Sequence, residues 1–182
     1  MLTKFAVVLA LMTSPAFAAN CSNTSAGFDA WKTEMVAEAA AEGVGPKGIA
    51  ALEGASYSKV TISADRNQKS FKYTLDKFLA LRGAETIIAQ GRAKRAKNKT
   101  FYDDLEAAYG VPAGVILAIH GMETAFGGFM GDTNVVSAIS TLTFDCRRSD
   151  YFRPHMMAAL KLVDQGTITA NSIGAKHGEL GH

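Results

Sequence analysis

The chain has 182 residues, 48% hydrophobic and 20% charged, with 19 Lys+Arg against 17 Asp+Glu and a formal net charge of +2. This balance excludes a disordered tail and a strongly basic nucleic-acid binder, and no nucleic acid is expected as a partner. The length supports one domain, or one domain with a small lobe, around a core of normal density.

Residues 1–18 read as a secretory signal peptide. Lys4 gives a positive start, residues 5–12 are almost wholly apolar, and Ala16 and Ala18 are small residues at the positions a signal peptidase inspects. A lipid-modified Cys21 is the nearby alternative, but bulky Asn20 precedes it, which favours a soluble exported, periplasmic protein over a lipoprotein. Residues 19–182 then form the mature part. In an oxidising compartment Cys21 and Cys146 can pair or remain two free thiols. The four histidines, at 120, 155, 177 and 182, are scattered without HExxH or CxxC spacing, so neither a metal nor a cofactor is expected.

Beyond the leader the pattern is helical. Phe28, Trp31, Met35 and Ala39 recur at spacings of three and four, with Ser25 placed to cap and Gly43 to terminate. Gly45-Pro46 opens a short second helix through Leu52. Residues 54–66 read as a connector, interrupted by Gly54, Ser56, Ser58 and Ser63. Helices are expected again over 69–81, 84–97, 100–109, 112–125, 134–144 and 149–165, the last with Ser149 as its cap. No strand pair stands out, so the fold class is mainly α. Arg92, Lys94, Arg95, Lys97 and Lys99 are basic within eight positions. Such a run is more often a solvated helix face than a polyanion site.

The informative stretch is residues 109–127, Tyr-Gly-Val-Pro-Ala-Gly-Val-Ile-Leu-Ala-Ile-His-Gly-Met-Glu-Thr-Ala-Phe-Gly. On a helix starting at Pro112, Val115, Ile116, Ile119, Glu123 and Phe126 fall on one stripe, which places the segment's only carboxylate among apolar residues. Burial and the helix C-terminus both favour the protonated acid, the form a general acid requires. The alternative is a Glu123 that turns to solvent or is satisfied by Thr124 and backbone donors. Phe126 is expected in the core; Phe129 and Met130 either wall a cleft or pack. Asp132 reads as a surface loop acid.

Residues 109–112, the Gly-Met-Glu-Thr-Ala-Phe-Gly element at 121–127, Gly131 and the Arg-Arg-Ser-Asp-Tyr-Phe run at 147–152 resemble the membrane-bound lytic murein transglycosylase B family. The likeness runs from about Phe28 to the end of the chain and includes Asp65, Gln68 and Phe71 in order. It implies a partial lysozyme-like (goose-type, SLT-like) helical domain that cleaves the β-1,4 bond between N-acetylmuramic acid and N-acetylglucosamine of peptidoglycan. It also implies Glu123 as the single catalytic acid and base, giving 1,6-anhydro ends without hydrolysis. At Arg147 and Arg148 the matching positions imply binding of the peptide stem. Ion pairs with Asp145 or Asp150 are the alternative use of those two guanidinium groups.

Three departures from the family pattern bear on function. His120 stands one turn before Glu123, where an apolar or aromatic residue is usual. Ala175 and His177 replace a common serine and a common alanine. The chain stops at His182, where the family continues, so an N-terminal portion of a catalytic domain is expected. Its uncovered apolar faces would favour self-association, and a non-catalytic peptidoglycan-binding module or an inactive fragment is the alternative function.

Overall fold

The computed structural model describes residues 21–67 and 72–179. Residues 1–18, read as a signal peptide, and Gln68 and Phe71 lie outside the described residues. The order is α1 (Phe28–Ala41), α2 (Pro46–Glu53), α3 (Lys59–Arg66), α4 (Leu75–Leu81), α5 (Ala84–Lys97), α6 (Lys99–Tyr109), α7 (Ala113–Thr124), β1 (Thr133–Asn134), α8 (Val135–Phe144), α9 (Ser149–Asp164) and β2 (Ile173–Gly174). The mainly α class holds. Among the described residues no single helix is long and apolar enough to cross a membrane.

The larger core joins α1, α2, α8 and α9. Phe28, Trp31, Met35 and Ala39 supply the α1 face, Met156, Met157, Leu160 and Val163 that of α9. Helix α8 runs through the centre: Val135, Val136 and the stretch from Ala138 to Phe144 are buried, which suits a segment apolar on every side. Phe28 stacks on Trp31 at 5.5 Å between ring centroids, and Phe144 meets both rings at 5.4 Å. Cys21 and Cys146 form a disulfide, with Ser22 N–H donating to Phe144 O at 2.9 Å beside it.

A second, smaller core lies under α5, α6 and α7, built on Tyr102, Ala113 and Leu117 with Ile116 and Phe126 partly buried against it. This lobe is thinly covered. Leu75, Leu81, Ile88, Val115 and Ile119 are all exposed.

Four local expectations are corrected. Residues 54–66 are not a plain connector, because Ser58 Oγ accepts from Thr61 N–H and starts α3, whose Thr61, Ile62 and Asp65 are buried. Ser25 does not cap α1; its N-cap is Gly27 and no side chain bonds there. Ser149 does not cap α9 either, since its hydroxyl donates to Thr143 O at 2.6 Å and so joins α9 back to α8. A short antiparallel ribbon does exist: Thr133 pairs with Gly174 and Asn134 with Ile173.

Candidate active site

Helix α7 turns a different face inward from the one expected. Its buried residues are Ala113, Leu117, Gly121 and Thr124, whereas Val115 and Ile119 are 47% and 54% exposed and Glu123 is exposed beside them. The cause is the close approach of α5. A Cβ on Gly121 would meet Ile87 Cγ2 at 2.5 Å and Phe126 Cζ at 2.8 Å, so small residues, not large ones, occupy the contact. The burial expected to favour the acid form of Glu123 is therefore absent from this structure.

Glu123 instead opens into a cleft of about 900 Å³. The C-terminal end of α7 forms one side, with Leu81, Arg82 and Thr86 from α4 and α5 nearby. Phe129, Met130 and Asp132 follow from the loop after α7, and the turn after β2 contributes Ala175, Lys176, His177 and Glu179. Phe129 and Met130 are exposed, which settles them as cleft wall; Phe126 packs in the small core as expected. Asp132 is exposed as a loop acid, but it lines the same cleft as Glu123.

The chain reverses sharply after Glu123. Ala125 and Phe126 adopt left-handed φ of 49° and 60°, a conformation that costs L residues about 1–2 kcal/mol each. Thr124 holds this turn: its hydroxyl accepts from Gly127 N–H at 3.0 Å and its carbonyl accepts from Phe129 N–H at 2.9 Å. Thr124 is thereby committed to the backbone and does not satisfy Glu123. The His120 ring packs edge-on to Phe126 at 5.3 Å.

A second cavity, of about 380 Å³, is lined by Arg148, which is held by the buried Asp65. The Asp65 side chain is 2% exposed and accepts from both Arg147 and Arg148, one on each carboxylate oxygen. Arg147 also donates to the Asp65 carbonyl at 3.0 Å. Both arginines are thus ion-paired, but to Asp65 and not to Asp145 or Asp150. Asp145 instead takes Arg66. The two arginines differ in what remains. Only Arg148 lines the cavity, stacked 4.7 Å from the Phe152 ring, and its buried Nε has no hydrogen-bond partner. Tyr151, whose ring lies 5.9 Å from the Arg148 guanidinium, and His155 line the cavity too.

No apolar stripe marks α3 in the sequence, and so none marks Asp65; the Ser58-x-x-Thr61 cap is the signal that does. Likewise nothing local marks Arg82 and Lys176, which enter the cleft from segments distant in the chain. Among the described residues no cluster of three His, Cys, Asp or Glu groups has the arrangement of a metal site.

Comparison with known proteins decides the family, since residues 27–182 match the model of the transglycosylase SLT domain. The chain belongs to this family. It is 36% identical over 76 residues to membrane-bound lytic murein transglycosylase B of Escherichia coli K12, a match covering 41% of this chain and 21% of that protein. Its fold is similar to SltB3 from Pseudomonas aeruginosa in complex with NAG-NAM-pentapeptide, with a TM-score of 0.73 and 29% identity over 85% of this chain and 42% of that one. Escherichia coli Slt35 shares the fold at a TM-score of 0.66 and 20% identity, over 82% of this chain and 49% of its own. The lysozyme-like SLT class expected from the motifs is therefore the class observed. The chain spans less than half the length of each of these relatives.

Proposed function

We propose that this SLT-family chain is a lytic transglycosylase acting on peptidoglycan, with Glu123 as its acid and base. The observation that carries this reading is the position of Glu123 at the end of α7, inside the large cleft, within a sequence of this family. A glycan strand lying in the cleft would displace water from the carboxyl group and favour its neutral form. Glu123 would then protonate the glycosidic oxygen between N-acetylmuramic acid and N-acetylglucosamine as that bond breaks. The resulting carboxylate would accept the proton of the muramic acid C6 hydroxyl as this oxygen attacks C1, closing a 1,6-anhydro ring. The nucleophile is already attached to the sugar, so no water has to be captured and positioned.

Arg148 is the arm of the site. Its cavity, cation and aromatic stack suit a carboxylate of the peptide stem, and SltB3, a relative, has been seen with a NAG-NAM-pentapeptide. Arg147, bonded to both the side chain and the backbone of Asp65, holds Asp65 in place and contributes indirectly. The leader over residues 1–18 and the Cys21–Cys146 disulfide both fit an exported, periplasmic protein.

The test is mass spectrometry of muropeptides released from purified peptidoglycan by the chain and by Glu123→Gln. Anhydro ends from the parent, lost in the variant by a factor of about 10² or more, are the expected result. Reducing ends would mean hydrolysis, for which Asp132, close to Glu123 in the chain, and Glu179 are the further carboxylates lining the cleft. Binding without release by a folded chain would replace this reading with that of a peptidoglycan-binding module.

A further inference from the structure

The cleft and the Arg148 cavity are neighbours, and His177 and Glu179 line both. His177 Nε2 lies 4.0 Å from Asp65 Oδ1, and its Nδ1 lies 3.8 Å from Glu179 Oε1. Asp65 Oδ1 is also the oxygen that accepts from Arg148, whereas Oδ2 belongs to Arg147. One buried carboxylate oxygen therefore faces a guanidinium and an imidazole; a guanidinium is always charged, whereas an imidazole is the side-chain type that can carry or lose its charge within the physiological pH range.

We propose that His177 is a positioning residue that sets how far Arg148 is available to an anionic ligand arm, acting through the Asp65 oxygen they share. When the imidazole is neutral, Arg148 alone neutralises Oδ1 and is held on Asp65. When it is protonated, His177 takes part of that charge, and the Arg148 guanidinium turns more readily to a carboxylate in its cavity. The positive imidazolium also adds to the field at the junction that a stem must cross in passing from the cleft to Arg148. This inference rests on the reading that the chain binds stem-bearing glycan.

The charged groups nearest His177 are Asp65 on α3, Glu179 and Lys176 on its own turn, and Arg147 and Arg148, which close on Asp65. Across the cleft lie Glu123, Asp132 and Arg82, and across the smaller cavity Tyr151 and His155. Among the described residues His155 is the other imidazole lining the smaller cavity and has to be removed independently.

The experiment measures binding of NAG-NAM-pentapeptide and of NAG-NAM without peptide by calorimetry, at about pH 5 and about pH 8. All proteins carry Glu123→Gln to prevent turnover. The readout is the affinity gained from the peptide, as a ratio of the two dissociation constants. That ratio should rise about fivefold from the higher to the lower pH, both in the parent and in His155→Gln. It should be flat with pH in His177→Gln, and high at both pH values in His177→Lys, whose charge is fixed over this range. An unchanged pH response in His177→Gln, or its loss in His155→Gln, would overturn the proposal. Binding of both glycans with no gain from the peptide would overturn it while leaving the glycan-binding reading intact. Failure of folded protein to bind either glycan would overturn the substrate reading and this proposal together.

Discussion

Asp65→Asn is the substitution that most directly tests whether the ion-paired node is structural. The carboxylate is 2% exposed, while the side chains of Arg147 and Arg148 are 44% and 36% exposed. Removing one partner of a fully buried ion pair costs roughly 3–5 kcal/mol, largely because an uncompensated charge is left inside. Here the orphaned charges are the two guanidinium groups, and both still reach water, so most of that penalty is avoided. What is lost is two charge-assisted hydrogen bonds of about 1.5–3 kcal/mol each, reduced by roughly half for solvent screening. The expected destabilisation is about 1.5–3 kcal/mol, a fall in Tm of roughly 3–12 °C for a chain of this length. Urea unfolding followed by circular dichroism, with the disulfide intact, measures it; Asp132→Asn, at an exposed loop, should lie within about 0.5 kcal/mol of the parent. If Asp65→Asn also fell within about 0.5 kcal/mol at an unchanged m-value, the node would carry no net stability and the reasoning from burial would be wrong.

Three further outcomes are expected. Replacing Cys21 and Cys146 together by serine opens a link across 125 residues and should cost up to about 5 kcal/mol by chain entropy, read from the urea midpoint. Gly131→Ala should lower stability by about 2 kcal/mol or more in a thermal melt, because φ there is +81° and the new Cβ would lie 2.0 Å from the Gly174 carbonyl oxygen, forcing the β1–β2 ribbon apart. Burial first, then the neighbouring Asp145, raise the pKa of the Tyr57 hydroxyl, with Arg66 opposing. A raised folded-state value means that the stability Tyr57 contributes is complete below the ordinary value near 10 and is lost as pH rises through the folded one. Tyr57→Phe should therefore flatten the alkaline limb of a stability-against-pH curve, and an unaltered limb would remove Tyr57 from its cause.

The helices of the larger core were legible because their apolar residues are large and regularly spaced, as at Phe28, Trp31, Met35 and Ala39. The same logic misread α7. There the contact with α5 is made through Gly121 and Gly91, and a rule that takes bulky residues as the core face selects the opposite side. Helix α3 was hidden for a related reason: its mean hydropathy is low, and its buried positions include Thr61 and Asp65, polar residues satisfied by the Ser58 hydroxyl and by two arginines. Of the site, Glu123, Arg147 and Arg148 were visible as motif residues. The Asp65 partnership that holds both arginines depends on contacts across more than eighty residues, which no local spacing reports.

Four consecutive residues between α8 and α9 show how the fold serves the proposed site. Asp145 is paired to Arg66, Cys146 is bonded to Cys21, and Arg147 and Arg148 both close on Asp65. Arg66 and Asp65 are adjacent on α3, so this short helix is fastened twice to the same turn. The turn also joins the two best-packed helices of the large core, and Arg148 emerges from it with its backbone fixed on both sides. Side chains held by such a shell bind with little further loss of freedom. Glu123 stands on the other lobe, whose core is small and whose outer apolar residues remain exposed. The proposed stem-binding arm is thus built beside the larger core and the proposed acid beside the smaller one. The turn carrying His177 and Glu179 lies at the junction of the two, where a substrate bound first through its stem would bring the glycan strand to the acid.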